Sequence, residues 1–214
     1  MSEIIGAPTS HLVDQLVADC APVRPVANSG RGSAIWFFAS SALALLGVAG
    51  IHFRPDLVER LRTPGFAALF LGGSILAAGS AWLALQSAVP GRRREVRLPR
   101  ALAGLGVFLM MVVAARMRDG TPFDHQGWRC AVCVVALAVI PALGLGIWLR
   151  TRLAVTRPAT TARYLGFAAG SVAAVWLAWH CPVDAGAHLL VWHIAPVFAI
   201  TAILATVGGR ALQL

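Results

Sequence analysis

The chain has 214 residues, 58% of them hydrophobic and 13% charged. Soluble domains carry roughly 25% charged residues, so the composition argues against a water-soluble globule. All 18 basic residues are arginine, set against nine acids for a net charge of +9. They sit in short connectors between apolar runs, which is the placement of membrane topology rather than of a nucleic-acid-binding face. No direct nucleic-acid binding is expected.

Residues 1–33 form a tail with its own pattern. Leu12, Val13, Leu16, Val17 and Cys20 recur at the spacing of one helical face, and Asp14, Gln15 and Asp19 take the other. Ser10 is placed to cap the start, and Pro22 with Pro25 to end the helix. A helix this short is marginal alone in water, so its apolar face needs a partner. Helices that lie on a lipid surface carry Lys or Arg on the polar face. This one carries Asp, which favours a protein partner. No cleavable signal peptide is expected, because the first thirty residues are polar and mixed and the first apolar run is long enough to span.

Six apolar runs follow, at about 34–51, 66–86, 101–115, 130–149, 164–179 and 189–207. Each reaches or approaches the ~20 residues that cross a hydrocarbon core. The third and fifth are short, and the third ends against Arg116 and Arg118. The expected fold is all-α: an integral membrane protein of six transmembrane helices (34–214) preceded by a short cytoplasmic amphipathic helix in the tail (1–33). Six spans put both termini on one side. That side holds Arg24, Arg31, Arg92, Arg93, Arg94, Arg97, Arg100, Arg150, Arg152, Arg157, Arg163 and Arg210, and the other holds Arg54, Arg60, Arg62, Arg116, Arg118 and Arg129. Twelve against six places the termini in the cytoplasm. Gly166, Gly170 and Ala174 fall four apart on one stripe of the fifth run, so that a neighbouring helix can approach closely. Pro141 and Pro196 lie inside the fourth and sixth runs and are expected to kink them.

Most of the polar chemistry of the second half sits in Trp179-His180-Cys181-Pro182-Val183-Asp184, between the fifth and sixth runs. Cys130, opening the fourth run, faces the same side in the six-span scheme. In an oxidising compartment the two thiols can pair as a disulfide, or they can act separately. Cys130 and Cys133 form a rival CxxC pair, without the βαβ surroundings such a redox motif has in thioredoxin-like proteins. A soft-metal site can be drawn from Cys130, His180, Cys181, Asp184 and His188, with Asp124 and His125 nearby, although the spacing matches no named zinc motif. His180 and Asp184 can also lower the thiol pKa. His180, His188 and His193 are alternatives as axial haem ligands, with His52 able to face His180. No nucleophile–base pair, phosphate-cradling loop or carboxylate pair is present in the sequence, so no enzyme and no cofactor is expected. A quinone-linked membrane thiol-redox protein and a metal-ion carrier are the other function classes; a carrier would want polar residues at mid-membrane, which the second and third runs nearly lack.

Three segments taken together carry a family likeness: Leu12-Val13-Asp14-Gln15-Leu16-Val17-Ala18-Asp19 leading into Pro22-Val23-Arg24-Pro25, then Gly127-Trp128-Arg129-Cys130, then His180-Cys181-Pro182-Val183-Asp184 with Trp192 following. The chain resembles the NrsF family of six-span anti-sigma factors, negative regulators of an extracytoplasmic-function (ECF) sigma factor. The likeness covers nearly the whole chain. It implies a protein of the bacterial inner membrane whose tail holds a sigma factor inactive through Leu12, Val13, Leu16, Val17, Asp19, Pro22, Val23 and Arg24. It also implies that Cys130 and Cys181 sense redox or heavy-metal stress. His180, Asp184 and His188 stand beside them as auxiliary groups. Cys20 and Cys133 do not belong to the family pattern.

Overall fold

A computed structural model describes residues 7–18, 28–89, 96–116, 127–153 and 155–212, and all regular structure among them is helical. The tail helix α1 spans Ala7–Ala18. It starts a turn before Ser10, which therefore lies within the helix instead of capping it. Pro8 fits this start, since proline is tolerated in a first helical turn where its missing N–H has no partner to lose. Val13 and Val17 are 55% and 65% exposed. Asp19, Cys20, Pro22, Val23 and Arg24 lie outside the described residues.

Each of the six apolar runs is helical. α2 (Ser29–Ile51) begins five residues before its apolar run because Asn28 caps it, Oδ1 accepting from Gly30 N at 2.9 Å. Ser29 and Gly32 of the first turn are buried: Trp82 Nε1 donates to Ser29 Oγ at 3.2 Å, and Gly32 lies against Trp148. A short helix α3 (Leu57–Leu61) leads to α4 (Pro64–Ser87). α5 (Arg97–Arg116) and α6 (Gly127–Arg152) follow, and then α7 (Pro158–Leu177). Pro64 and Pro158 both sit at the first helical position, where the fixed φ favours a start. The last helix, α8 (Gly186–Ala211), contains two π-helical stretches, Leu189–Ile194 and Leu204–Gly208.

Five helices, α2, α4, α5, α6 and α8, are long and apolar enough to cross a membrane. α7 has 20 residues but opens with Thr160, Thr161 and Arg163 and is rich in Ala and Gly. It is the centre of the bundle, packed against α2, α4, α6 and α8. A helix enclosed by others needs small side chains for close approach more than bulk apolarity. Leu165, Ala169, Val172, Ala173 and Leu177 join Val134, Leu145 and Leu149 of α6 in the main core. A second cluster, Leu69, Leu76, Met110, Leu189 and Ile194, joins α4 and α5 to α8. Large apolar side chains on the outside stay exposed, among them Phe38, Leu46, Phe108, Ile140, Ile147 and Ile203.

The small-residue stripe of α7 serves α8. A Cβ on Gly166 would stand 2.6 Å from Thr201 Cα, and one on Gly170 3.0 Å from a Val197 methyl. Gly166→Ala therefore meets backbone rather than a movable side chain. It should cost about 1–3 kcal/mol, read as a lower unfolding midpoint in detergent. Gly104→Ala and Gly144→Ala, where nothing lies within 4 Å, should leave the midpoint unchanged or raised. Pro141 lies inside α6, and its carbonyl accepts from Trp36 Nε1 at 3.2 Å. The ring of Pro196 crowds the carbonyl four residues earlier. That residue is Trp192, inside the widened turn Leu189–Ile194.

Candidate functional site

The end of α2, the start of α6, the end of α7 and the start of α8 meet at one end of the bundle. α7 stops at Leu177, and the chain then tightens, with Trp179 N on Trp176 O at 3.1 Å and both His180 N and Cys181 N on Leu177 O at 2.9 and 3.0 Å. Pro182 ends this turn by disfavouring helical backbone at the residue before it. Cys181 thereby points inward and is 2% exposed. Its Sγ lies 3.8 Å from that of Cys130, one turn into α6, and 3.3 Å from His188 Nε2. No disulfide joins the described cysteines. The Cys130 thiol beside it, with His193 close by, holds the Cys181 thiol well below the ordinary thiol range although burial opposes ionisation.

The loop is held from the connector between α2 and α3 by Arg54, one of the six arginines on the minority side of the charge count. Arg54 is 3% exposed and reaches four partners. It donates to Cys181 O at 2.8 Å and Pro182 O at 3.4 Å. It also makes bidentate pairs with Asp184 (2.7 and 2.9 Å) and Asp56 (2.7 and 3.0 Å). Arg60 completes the clasp on Asp56 and Asp184 at 3.1 and 3.0 Å. Planar fork-to-carboxylate pairs are the geometry guanidinium is suited to. Arg54 and Arg60 hold the Asp56 carboxyl well below the usual carboxylate range.

The backbone is tied as well. Arg54 N donates to Trp179 O at 2.9 Å, and His180 Nδ1 donates to His52 O at 2.7 Å. Between these bonds His52 has φ 84°, a left-handed backbone that costs about 1–3 kcal/mol outside glycine. Behind the loop, Phe53, Phe70, Trp176 and Trp179 form a cluster with centroids 4.8–6.2 Å apart in the contacting pairs.

The residues singled out from sequence thus separate. Cys130, Cys181 and His188 come together. Asp184 is engaged by Arg54 and Arg60, and His180 by the His52 carbonyl, so neither of these joins the thiols. The His52 and His180 rings do not form the facing pair that axial haem ligation would want; the contact runs from ring to backbone. Cys133, further along α6, packs on the main core, and Asp124 and His125 lie outside the described residues. His193, weighed from sequence only as a haem ligand, joins the thiol site: one ligand atom from each of Cys130, Cys181, His188 and His193 lies within 4.8 Å of all the others. The one sequence signal for this was Pro196 three residues on, which disfavours a regular α-turn there.

Gly127 explains the fit of α6 on α8. It is the first residue of α6, and any Cβ there would collide with the Trp192 indole. The Trp192 ring lies flush over the helix start, one turn before Cys130. The segments Gly127–Cys130, His180–Asp184 and Trp192, separate in sequence, are therefore one packed unit.

The pattern of the NrsF family, described as negative regulator of sigma F, matches residues 16–213. The chain belongs to the NrsF family. Among curated relatives, a protein of Azospira oryzae named probable anti-sigma-F factor NrsF is 26% identical over 212 residues, covering 96% of this chain and 99% of that one. The anti-sigma-F factor NrsF of Caulobacter vibrioides is 27% identical over 218 residues, covering 95% and 96%. No solved structure matches the chain. The NrsF match starts at residue 16, so it takes in the last turn of α1 as well as the whole bundle.

Proposed function

We propose that this chain is a membrane-embedded anti-sigma factor of the bacterial inner membrane. It sequesters an ECF-type sigma factor through its cytoplasmic tail and releases it when Cys130 and Cys181 meet an oxidant or a soft metal on the outer side. Membership of the NrsF family and two near-full-length relatives named anti-sigma-F factors support the regulatory, non-catalytic role. The observation that carries the sensing half is the 3.8 Å approach of Cys130 and Cys181, from segments 51 residues apart, at one end of the bundle. In this reading α2, α4, α5, α6, α7 and α8 all cross the bilayer, with α7 inside the ring of the others. The exposed apolar side chains around the bundle, a liability in water, then face lipid tails.

Reporter fusions near residues 30, 94 and 157 should report cytoplasm, and fusions near 58, 123 and 185 the opposite side. An outward signal from residue 94 overturns the topology. The effector half rests on the tail: Leu12, Val13, Leu16, Val17, Asp19, Pro22, Val23 and Arg24 form its binding end. Amphipathic helices dock such apolar residues in a partner's groove. The chain with residues 1–30 should co-purify a sigma factor, and the chain without them should not. Leu16→Asp should release the partner and raise target transcription while membrane insertion stays normal. Unchanged repression in that variant would remove the tail from the role.

A further inference from the structure

The histidines beside the thiols point to more than a cysteine pair. In a regular α-helix, residues five apart lie roughly 140° apart around the axis at 3.6 residues per turn, so His188 and His193 would diverge. The π-helical stretch Leu189–Ile194 closes i→i+5 instead, and it brings the two rings to one side, tilted 55° to each other with centroids 5.6 Å apart. π-turns of this kind are frequent at functional positions. His193 is 3% exposed, and apart from the Cys181 thiol that it helps to ionise, its ring nitrogens have no hydrogen-bond partner among the described residues. An imidazole with so little polar company at that depth is costly in a protein interior and more so in a membrane.

We propose that Cys130, Cys181, His188 and His193 form a four-ligand site for a soft divalent cation of the zinc type. Metal–sulfur bonds of about 2.3 Å in a tetrahedral centre put two thiolates about 3.8 Å apart, the separation found between Cys130 and Cys181. A thiolate and an imidazole nitrogen on the same centre stand about 3.5 Å apart, close to the 3.3 Å between Cys181 Sγ and His188 Nε2. Two thiolates, two neutral imidazoles and a doubly charged cation sum to zero charge, which suits burial. Binding displaces the remaining thiol protons to solvent and needs no oxidant or reductant. Occupancy ties the start of α6 and the loop after α7 to the start of α8. The inference rests on the reading of Cys130 and Cys181 as the responsive pair, but its experiment reads metal, not transcription, so the two can fail separately.

The full-length chain, reduced, freed of metal by chelation and held in detergent, is titrated with Co²⁺ and then with Zn²⁺. One equivalent of Co²⁺ should give the intense ligand-field bands of a tetrahedral centre together with thiolate-to-cobalt charge transfer, and one equivalent of Zn²⁺ should bleach both. His188→Ala and His193→Ala should each weaken Zn²⁺ binding on the order of tenfold or more. His193→Cys should keep a tetrahedral spectrum with stronger charge transfer. Cys133→Ser and His180→Ala should bind as the native chain does. No stoichiometric uptake, a weak octahedral spectrum, or native affinity in both histidine-to-alanine variants would overturn the site. Should a histidine variant fail to fold, the native chain decides: Zn²⁺ should slow maleimide labelling of Cys130 and Cys181 but not of Cys133, and equal labelling rates with and without Zn²⁺ count against the proposal.

Discussion

Cys130→Ser and Cys181→Ser should each abolish induction by oxidant or soft metal, and the double variant should be no worse than either single one. The two sulfurs form one unit at 3.8 Å, so removing one leaves the other without the group it must bond to or share a cation with. Pairwise groups that act together are non-additive for this reason. Repression in the unstressed state should persist, because the fold does not depend on a bond between these sulfurs. Cys133→Ser should respond normally, since its side chain packs on the main core and does not reach the site. The measurement is target-gene transcription before and after stress in a strain carrying each variant at matched protein level. Lost induction in Cys133→Ser with normal induction in Cys181→Ser would move the sensor to the CxxC pair.

Arg54→Ala should be the most damaging single change outside the thiol site, lowering stability by about 3 kcal/mol. That is the low end of the 3–5 kcal/mol lost when one partner of a buried ion pair is removed. Asp184 and Asp56 keep some contact with solvent, at 19% and 36% side-chain exposure, which moderates the cost. The variant leaves both carboxylates with Arg60 alone and strips the Cys181 carbonyl of its 2.8 Å donor. Arg54→Lys should rescue little, because one ammonium cannot make two bidentate pairs. Arg62→Ala, in the same connector, should be nearly silent. The check is the unfolding midpoint in detergent, together with the maleimide reaction rate of Cys181, which should rise as the loop loses its clasp. A native midpoint and a native labelling rate in Arg54→Ala would show that the Asp184 and carbonyl contacts do not hold the loop.

The helices were legible from the chain because the information is local. A run of twenty apolar residues, an arginine-rich connector and a proline at a helix start are each read over one or two turns, and all six runs are helical. The likeness of three short segments to one family was legible too, since family identity is carried in residue order. Several boundaries differ, two of them for a local reason that periodicity misses: Asn28 draws Ser29–Ser33 into α2, and Pro8 lets α1 start at Ala7. The bundle's interior was decided elsewhere. α7 is central because its glycines admit Thr201 and Val197 of α8, a fact of two surfaces that neither stretch states alone. Arg54 in sequence is one outer arginine among six; only the fold brings it to residues 127–130 positions away, where it binds Cys181, Pro182 and Asp184. His193 needed a change of helical pitch to reach the thiols, and pitch depends on how Pro196 and Trp192 pack against their neighbours. Sequence therefore determined which segments are helices and to which family they belong, whereas long-range packing determined which side chains meet at the end of the bundle.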